Sequence, residues 1–207
     1  MKAKNRYHHG ELKTALVEAG IKIIDKHGIT GLTLQKAAKA HNVSAAAVYR
    51  HYGSKEELLA AIAAQGYNLL EEAMSDILAR KFSNAETFLQ ESMLTYVDFA
   101  RQKPRHYELM FGGFITDHQK FSHLSAAAQS SFNSLLEIIK RCQQLGLFEP
   151  RSRPLLLAFH VWSLLHGYVT LHNSGQNPFP VKNERQFRQL TRRIINLMRH
   201  GLHTRKA

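Results

Sequence analysis

Between Leu32 and Lys55 the chain reads LTLQKAAKAHNVSAAAVYRHYGSK, and its polar side chains are of the types that meet nucleic acid. Thr33, Ser44 and Tyr49 offer hydroxyls, Gln35 an amide, Arg50 and Lys55 positive charge, and His51 an imidazole. Such groups bond phosphate oxygens and base edges. Ala45, Ala46 and Ala47 lie among them and have no side-chain hydrogen bond to give. Alanine can pack only on a thymine methyl or let the backbone come close. Direct base reading then falls to Ser44, Thr33, Gln35, Tyr49, Arg50 or His51. The pattern predicts a duplex read partly through its shape, with few base-specific bonds.

The elements that must carry these groups can be read from spacing. Thr33 caps a short helix in which Leu34, Ala37 and Ala38 share one face and Gln35, Lys36 and Lys39 the other. His41-Asn42-Val43 is a tight turn, and Asn tolerates the left-handed backbone it needs. Ser44 caps a second helix, Ala45 to His51, with Val48 inward and Ala45, Ala46, Tyr49 and Arg50 outward; Tyr52, just past it, also points inward. This is the spacing of a helix-turn-helix, over residues 32–51, whose second helix enters the major groove. Ser54 and Glu57 form a capping box for a longer helix, and Lys55 in its first turn suits a phosphate clamp.

Thr33, Ala38, Val43-Ser44, Val48-Tyr49, His51-Tyr52 and Ser54 to Leu58 together resemble the signature of TetR-type transcriptional regulators, over roughly Tyr7 to Ile62. This chain has Asn42 where that family usually has Gly, and Tyr52 where it usually has Phe. The resemblance implies phosphate contacts at Thr33, Tyr49, His51 and Lys55. It also implies a homodimer on a pseudo-palindromic DNA operator, repression by default, and release by a small apolar or amphipathic effector. Trp162-x-x-x-His166-Gly167 resembles the sensing domain of one subgroup.

Composition agrees with a DNA-facing N-terminal part. Of the net charge of +12, residues 1–56 carry ten Lys/Arg against four Asp/Glu, residues 57–184 eleven against twelve, and residues 185–207 seven against none. A basic first part is the footprint expected where phosphates are met. The near-neutral middle argues against a protein that coats nucleic acid along its whole length. In the basic tail, the solvated helix face is the preferred reading over an auxiliary DNA contact. Lys2, Lys4 and Arg6 form a basic leader that could reach a groove as an arm. No run approaches the ~18 apolar residues of a membrane span, and no apolar signal region opens the chain, so no membrane partner is expected. The single cysteine, Cys142, fits a reducing cytoplasm.

Past residue 55 the pattern stays helical. The helix from Ser54 runs through Leu58, Leu59, Ile62 and Ala63 and on past Gly66 towards Ile77 or Leu78. Ser83 and Glu86 form a second capping box, for a helix with Phe88, Leu89, Met93, Tyr96, Val97 and Ala100 inward and a stop near Gln102 before Pro104. A short helix spans Arg105 to Phe111, and Thr116 to Ser122 reads as a loop. A long helix spans Leu124 to Leu145 with Phe132, Leu135, Leu136, Ile139 and Cys142 inward. Two more, Leu155–His172 and Gln186–Leu202, are apolar enough to serve both a core and a partner copy. The last has Phe187, Leu190, Ile194, Leu197 and Met198 on one side.

The expected fold is all-α with about nine helices. A three-helix DNA-binding domain (1–55) is joined by a continuous helix to a larger ligand-binding and dimerisation domain (56–207). Met93, Tyr96, Phe99, Tyr107, Met110, Phe111, Trp162 and His166 are the candidates for an effector pocket, though many of them would serve equally as core. Neither cofactor nor metal is expected. The thirteen histidines are scattered, with no HExxH pair, Gly-rich phosphate loop or nucleophile turn to support an enzyme. An architectural protein that binds DNA without sequence preference is the other rival reading.

Overall fold

The computed structural model describes the backbone of residues 9–202 and the side chains of residues 12–197. The leader residues Lys2, Lys4 and Arg6, and Arg205 and Lys206 of the basic tail, lie outside the described residues, as do the side chains of Met198 and Arg199.

Among the described residues the structure is all-α. The helices are α1 (His9–His27), α2 (Leu34–Ala40), α3 (Ala45–Tyr49), α4 (Lys55–Ala79), α5 (Ala85–Gln102), α6 (Pro104–Phe111), α7 (Ser122–Gln144), α8 (Pro154–Asn173) and α9 (Glu184–Leu202). Two 3-10 turns, Ile29–Gly31 and His118–Lys120, complete the order. The chain forms two compact units: residues up to Gly66 with Arg105–Ala127, and Tyr67–Pro104 with the residues from Ala128 on. Helices α4 and α7 each run unbroken from one unit into the other.

In the first unit α1 buries Leu12, Leu16, Ala19 and Ile24, and it stops at Gly28, whose φ of 69° an L side chain rarely adopts. Thr33 caps α2 by accepting the Lys36 N–H, and Ser44 caps α3 by accepting the Ala47 N–H, at 3.1 and 3.2 Å. Between them Asn42 stands at φ 52°. Val48, Tyr52, Leu58 and Ile62 close the core around these short helices. Helix α6 approaches α4 closely: a Cβ on Gly66 would fall 2.7 Å from Met110 Sδ and 3.0 Å from His106 Cβ. His106 Nε2 also lies 3.0 Å from Gln65 Oε1, and Arg105 pairs with Asp25 of α1.

In the second unit α5 buries Phe88, Leu89, Met93, Tyr96, Val97 and Ala100 against its neighbours. Polar contacts fix α9 beside α5: Arg192 with Glu91, Arg188 with Asp98, Arg101 with Glu184. Arg141 of α7 donates to the Leu78 carbonyl at 2.8 Å, satisfying one of the last carbonyls of α4, and Ser130 donates to Glu71 at 2.7 Å. Cys142 is fully buried, and burial pushes its thiol up to about 12.

Several expectations are corrected. The cap of α5 is Asn84, which accepts the Thr87 N–H at 2.8 Å, so the helix starts one residue later than a Ser83 box places it. The segment 116–122 contains a 3-10 turn capped by Asp117 and the first residue of α7, Ser122. Helix α3 ends at Tyr49 rather than His51; Arg50 is its C-cap. On α7 the buried line is Leu124, Ala127, Ser131, Ser134, Ile138, Ile139 and Cys142, while Phe132, Leu135 and Leu136 are half-exposed. On α9 it is Phe187, Thr191 and Ile195, spaced by four; Leu190 and Ile194 are half-exposed and Leu197 is 72% exposed. Thr191 is admitted to the core because its hydroxyl donates to the Phe187 carbonyl and meets Tyr168. Helix α8 does reach the length and apolar composition of a membrane span, with most of it not buried within the chain.

Candidate nucleic-acid interface

The helix-turn-helix faces outward through the residues its caps leave free. Ala45, Ala46, Tyr49 and Arg50 are exposed, with Ala47 half-exposed, while Val48 at 0% and Tyr52 at 1% anchor the other side. The inward pair thus fixes which face of α3 is presented. Tyr52 carries a further tie: its hydroxyl donates to the Lys13 carbonyl of α1 at 3.2 Å. Burial, with the Glu57 carboxylate second, pushes that phenol up to about 12, so it stays protonated and able to donate.

Thr33 and Ser44 each use an oxygen lone pair to accept a helix N–H, which leaves the hydroxyl hydrogen for an incoming phosphate oxygen. Gln35 is exposed at the start of α2, and Thr33 and His51 are half-exposed. Arg50 and His51 lie just past the last turn, where His51 N and Tyr52 N bond the Val48 carbonyl. At the start of α4 the Glu57 N–H donates to Ser54 Oγ, and the Glu57 carboxylate accepts from Gly53 N at 2.7 Å. The box is therefore closed one residue further back than its usual form. Lys55 Nζ rests 3.4 Å from the Thr30 carbonyl, and Lys36 Nζ 2.8 Å from the Gly31 carbonyl. Lys120 reaches Glu56 at 2.9 Å and neutralises the acidic residue beside Lys55.

The effector candidates divide between the two units. Tyr107, Met110 and Phe111 belong to the first, where Tyr107 and Phe111 stack edge to face with centroids 5.0 Å apart. Met93, Tyr96, Phe99, Trp162 and His166 belong to the second. There Tyr96 Oη lies 3.3 Å from His166 Nδ1, and Trp162 lies within about 6 Å of both Phe132 and His166. Burial lowers the His166 pKa, which favours the neutral imidazole. Met93 and Phe99 are buried core residues of α5. Phe132, half-exposed beside Trp162, reads in the sequence only as a core residue of its helix, because its neighbour lies thirty positions away in the chain. No group of three or more His, Cys, Asp or Glu side chains able to hold a metal ion occurs among the described residues.

Comparison with known proteins places this arrangement. Residues 16–62 match the model of the tetR family of bacterial regulatory proteins, and residues 89–194 match the tetracyclin repressor-like C-terminal domain. The chain belongs to the TetR family. The C-terminal match spans Trp162, His166 and Gly167, and by its description it does not distinguish a Trp-x-x-x-His-Gly subgroup. This TetR-family chain is 31% identical over 100 residues to the uncharacterized HTH-type transcriptional regulator YobS of Bacillus subtilis (strain 168). That match covers 48% of this chain and spans about half of the relative's length, 51%. Its fold is similar to that of a protein with unknown function from Rhodococcus sp. RHA1, with a TM-score of 0.81 at 24% identity over 97% of this chain and 100% of the other. It is also similar in fold to the transcriptional regulator FadR from Bacillus subtilis, solved in complex with stearoyl-CoA. There the TM-score is 0.72 at 15% identity over 92% and 99% of the two chains.

Proposed function

We propose that this TetR-family chain is a sequence-specific DNA-binding transcriptional regulator, acting as a homodimer on a pseudo-palindromic operator and released by a small apolar or amphipathic effector. The observation that carries the reading is the outward face of α3. It is a short helix held by two inward anchors, with Ala45, Ala46, Tyr49 and Arg50 exposed in the basic part of the chain. Thr33, Gln35, Ser44, Ala45, Ala46, Ala47, Tyr49, Arg50, His51 and Lys55 are the residues we assign to DNA. Repression is the family default, and a cytoplasmic location follows from the partner. DNA binding is assigned to residues 1–55, and effector binding and dimerisation to residues 56–207, with α4 common to both.

A homodimer is supported by the exposed apolar side of α8, where Leu155, Leu156, Phe159, Leu164 and Leu171 meet solvent, together with Leu197 of α9. Large apolar side chains exposed together on one helix suit a surface that a partner covers. An isologous contact of α8 and α9 with a second copy covers it and places two recognition helices on two half-sites. An effector site is supported in the second unit by the Tyr96–His166 hydrogen bond set beside Trp162 and Phe132: a neutral polar handle on an aromatic wall. The stearoyl-CoA bound by FadR is an acyl ligand of the amphipathic kind such a wall suits. Selection of bound duplexes from a random library with the purified protein tests the reading. A recovered pseudo-palindrome supports it. Binding with no sequence preference, from protein freed of ligand by denaturing and refolding, refutes it in favour of an architectural role.

A further inference from the structure

Two lysines from different helices end on one short turn. The turn Ile29–Gly31 spends its own bonds on Gly31 N to the Gly28 carbonyl and Leu32 N to the Ile29 carbonyl. The next two carbonyls, of Thr30 and Gly31, stand at its negative end. Lys55, the first residue of α4, donates to the first, and Lys36, in the first turn of α2, donates to the second. The two ammonium groups are thus brought to adjacent peptide oxygens. Each ammonium has three N–H donors and uses one on the turn, so two remain on each to face outward. Lys36 is exposed and Lys55 half-exposed.

Two positive charges held on adjacent carbonyls repel each other, and an anion that meets both offsets that repulsion. A lysine side chain gives up rotamer freedom when it is fixed on a partner. Anchoring to the turn removes part of that cost before the partner arrives. The same α2 turn carries the Thr33 hydroxyl, whose hydrogen is left free by its cap.

We infer that Lys36 is a further phosphate contact of this protein, and that the carbonyls of Thr30 and Gly31 hold Lys36 and Lys55 together as a two-ammonium clamp on the DNA backbone. The inference rests on the DNA-binding reading of the helix-turn-helix and adds a residue to it. Lys36 contributes affinity without sequence preference, because an ammonium on a phosphate reads no base.

The test is fluorescence anisotropy of a labelled duplex of random sequence, titrated with the full-length protein across a range of salt. Each phosphate contact contributes about 0.9 to the slope of log affinity against log salt. Lys36→Gln is expected to lower that slope by about 0.9, as is Lys55→Gln, with the double variant lower by about 1.8. Lys36→Arg should keep the wild-type slope. Lys26→Gln, which removes an equal charge from an exposed position on α1, should also keep it. A Lys36→Gln slope equal to wild type overturns the clamp while leaving the DNA-binding reading intact. An equal fall in Lys26→Gln overturns it too, since the effect would then be net charge alone. Failure of the wild-type protein to bind the duplex at low salt refutes the DNA-binding reading itself.

Discussion

Arg50 concentrates the contrast between presentation and support at the level of single residues. It is exposed just past α3, whereas its near neighbours Val48 and Tyr52 are shut in the core. Arg50→Ala is therefore expected to leave the thermal transition where it is and to weaken binding to the selected duplex by about 1–3 kcal/mol, roughly five- to 150-fold. Gel-shift titration beside a melting curve reads both, and unchanged affinity would remove Arg50 from the interface. Titration provides a second expectation. His166 is depressed by burial, His172 by burial and then the Arg101 charge, and His123 by burial and then Lys13. The unfolded chain takes up these protons first. Their contribution to stability is complete above the ordinary imidazole value of about 6.5 and is lost as pH falls through the lower folded values. The Tm should fall between pH of about 7 and about 5, and His166→Asn should flatten the fall. A Tm that does not change over that interval would refute the assignment.

Elements expose what single residues do not. Gly66 lies inside α4, where alanine is worth about 1 kcal/mol more by helix propensity. Yet a Cβ there would meet Met110 Sδ and His106 Cβ, and the second of these moves only with its backbone. Gly66→Ala should thus destabilise by about 1–2 kcal/mol in a denaturant titration, the sign opposite to propensity. Ser44→Ala should cost about 1 kcal/mol by removing the α3 cap, and operator affinity should fall with it. The helix-turn-helix is legible in the sequence because its signals are local: Thr33 and Ser44 as caps, Asn42 as the left-handed turn, Val48 and Tyr52 four apart. The start of α5 is not, because Ser83 and Asn84 are both competent caps and only the folded backbone chooses Asn84. The stripe of α9 is rotated from the one that apolar residues alone define. In the structure Thr191 takes a core position through two hydrogen bonds and Leu197 faces out. Helix α8 is apolar nearly all round, so periodicity cannot name its buried side. The aromatic candidates are beyond local reading altogether, since Tyr96 and His166, or Phe132 and Trp162, meet only when distant helices pack.

At the scale of the whole molecule, each compact unit takes part of α4 and part of α7, and α8 in the second unit has an apolar face that nothing among the described residues covers. Phe159 is more than half exposed on that face. Phe159→Glu should leave the helical content unchanged, shift the sedimenting species to a single chain, and abolish tight binding to a two-half-site duplex while sparing weak binding to one half-site. A variant that still sediments as a dimer would show the interface to lie elsewhere. Cys142 has a consequence of another kind. Its thiol is sealed in the second unit and is held protonated, so a thiol-reactive dye can modify it only in chains that have opened. The rate of dye incorporation, followed by mass spectrometry, becomes a clock for opening that needs no engineered reporter. Any compound that binds the closed form slows that clock by mass action. A metabolite extract, fractionated and tested for slowing, would then lead to the effector even while the operator is still unidentified.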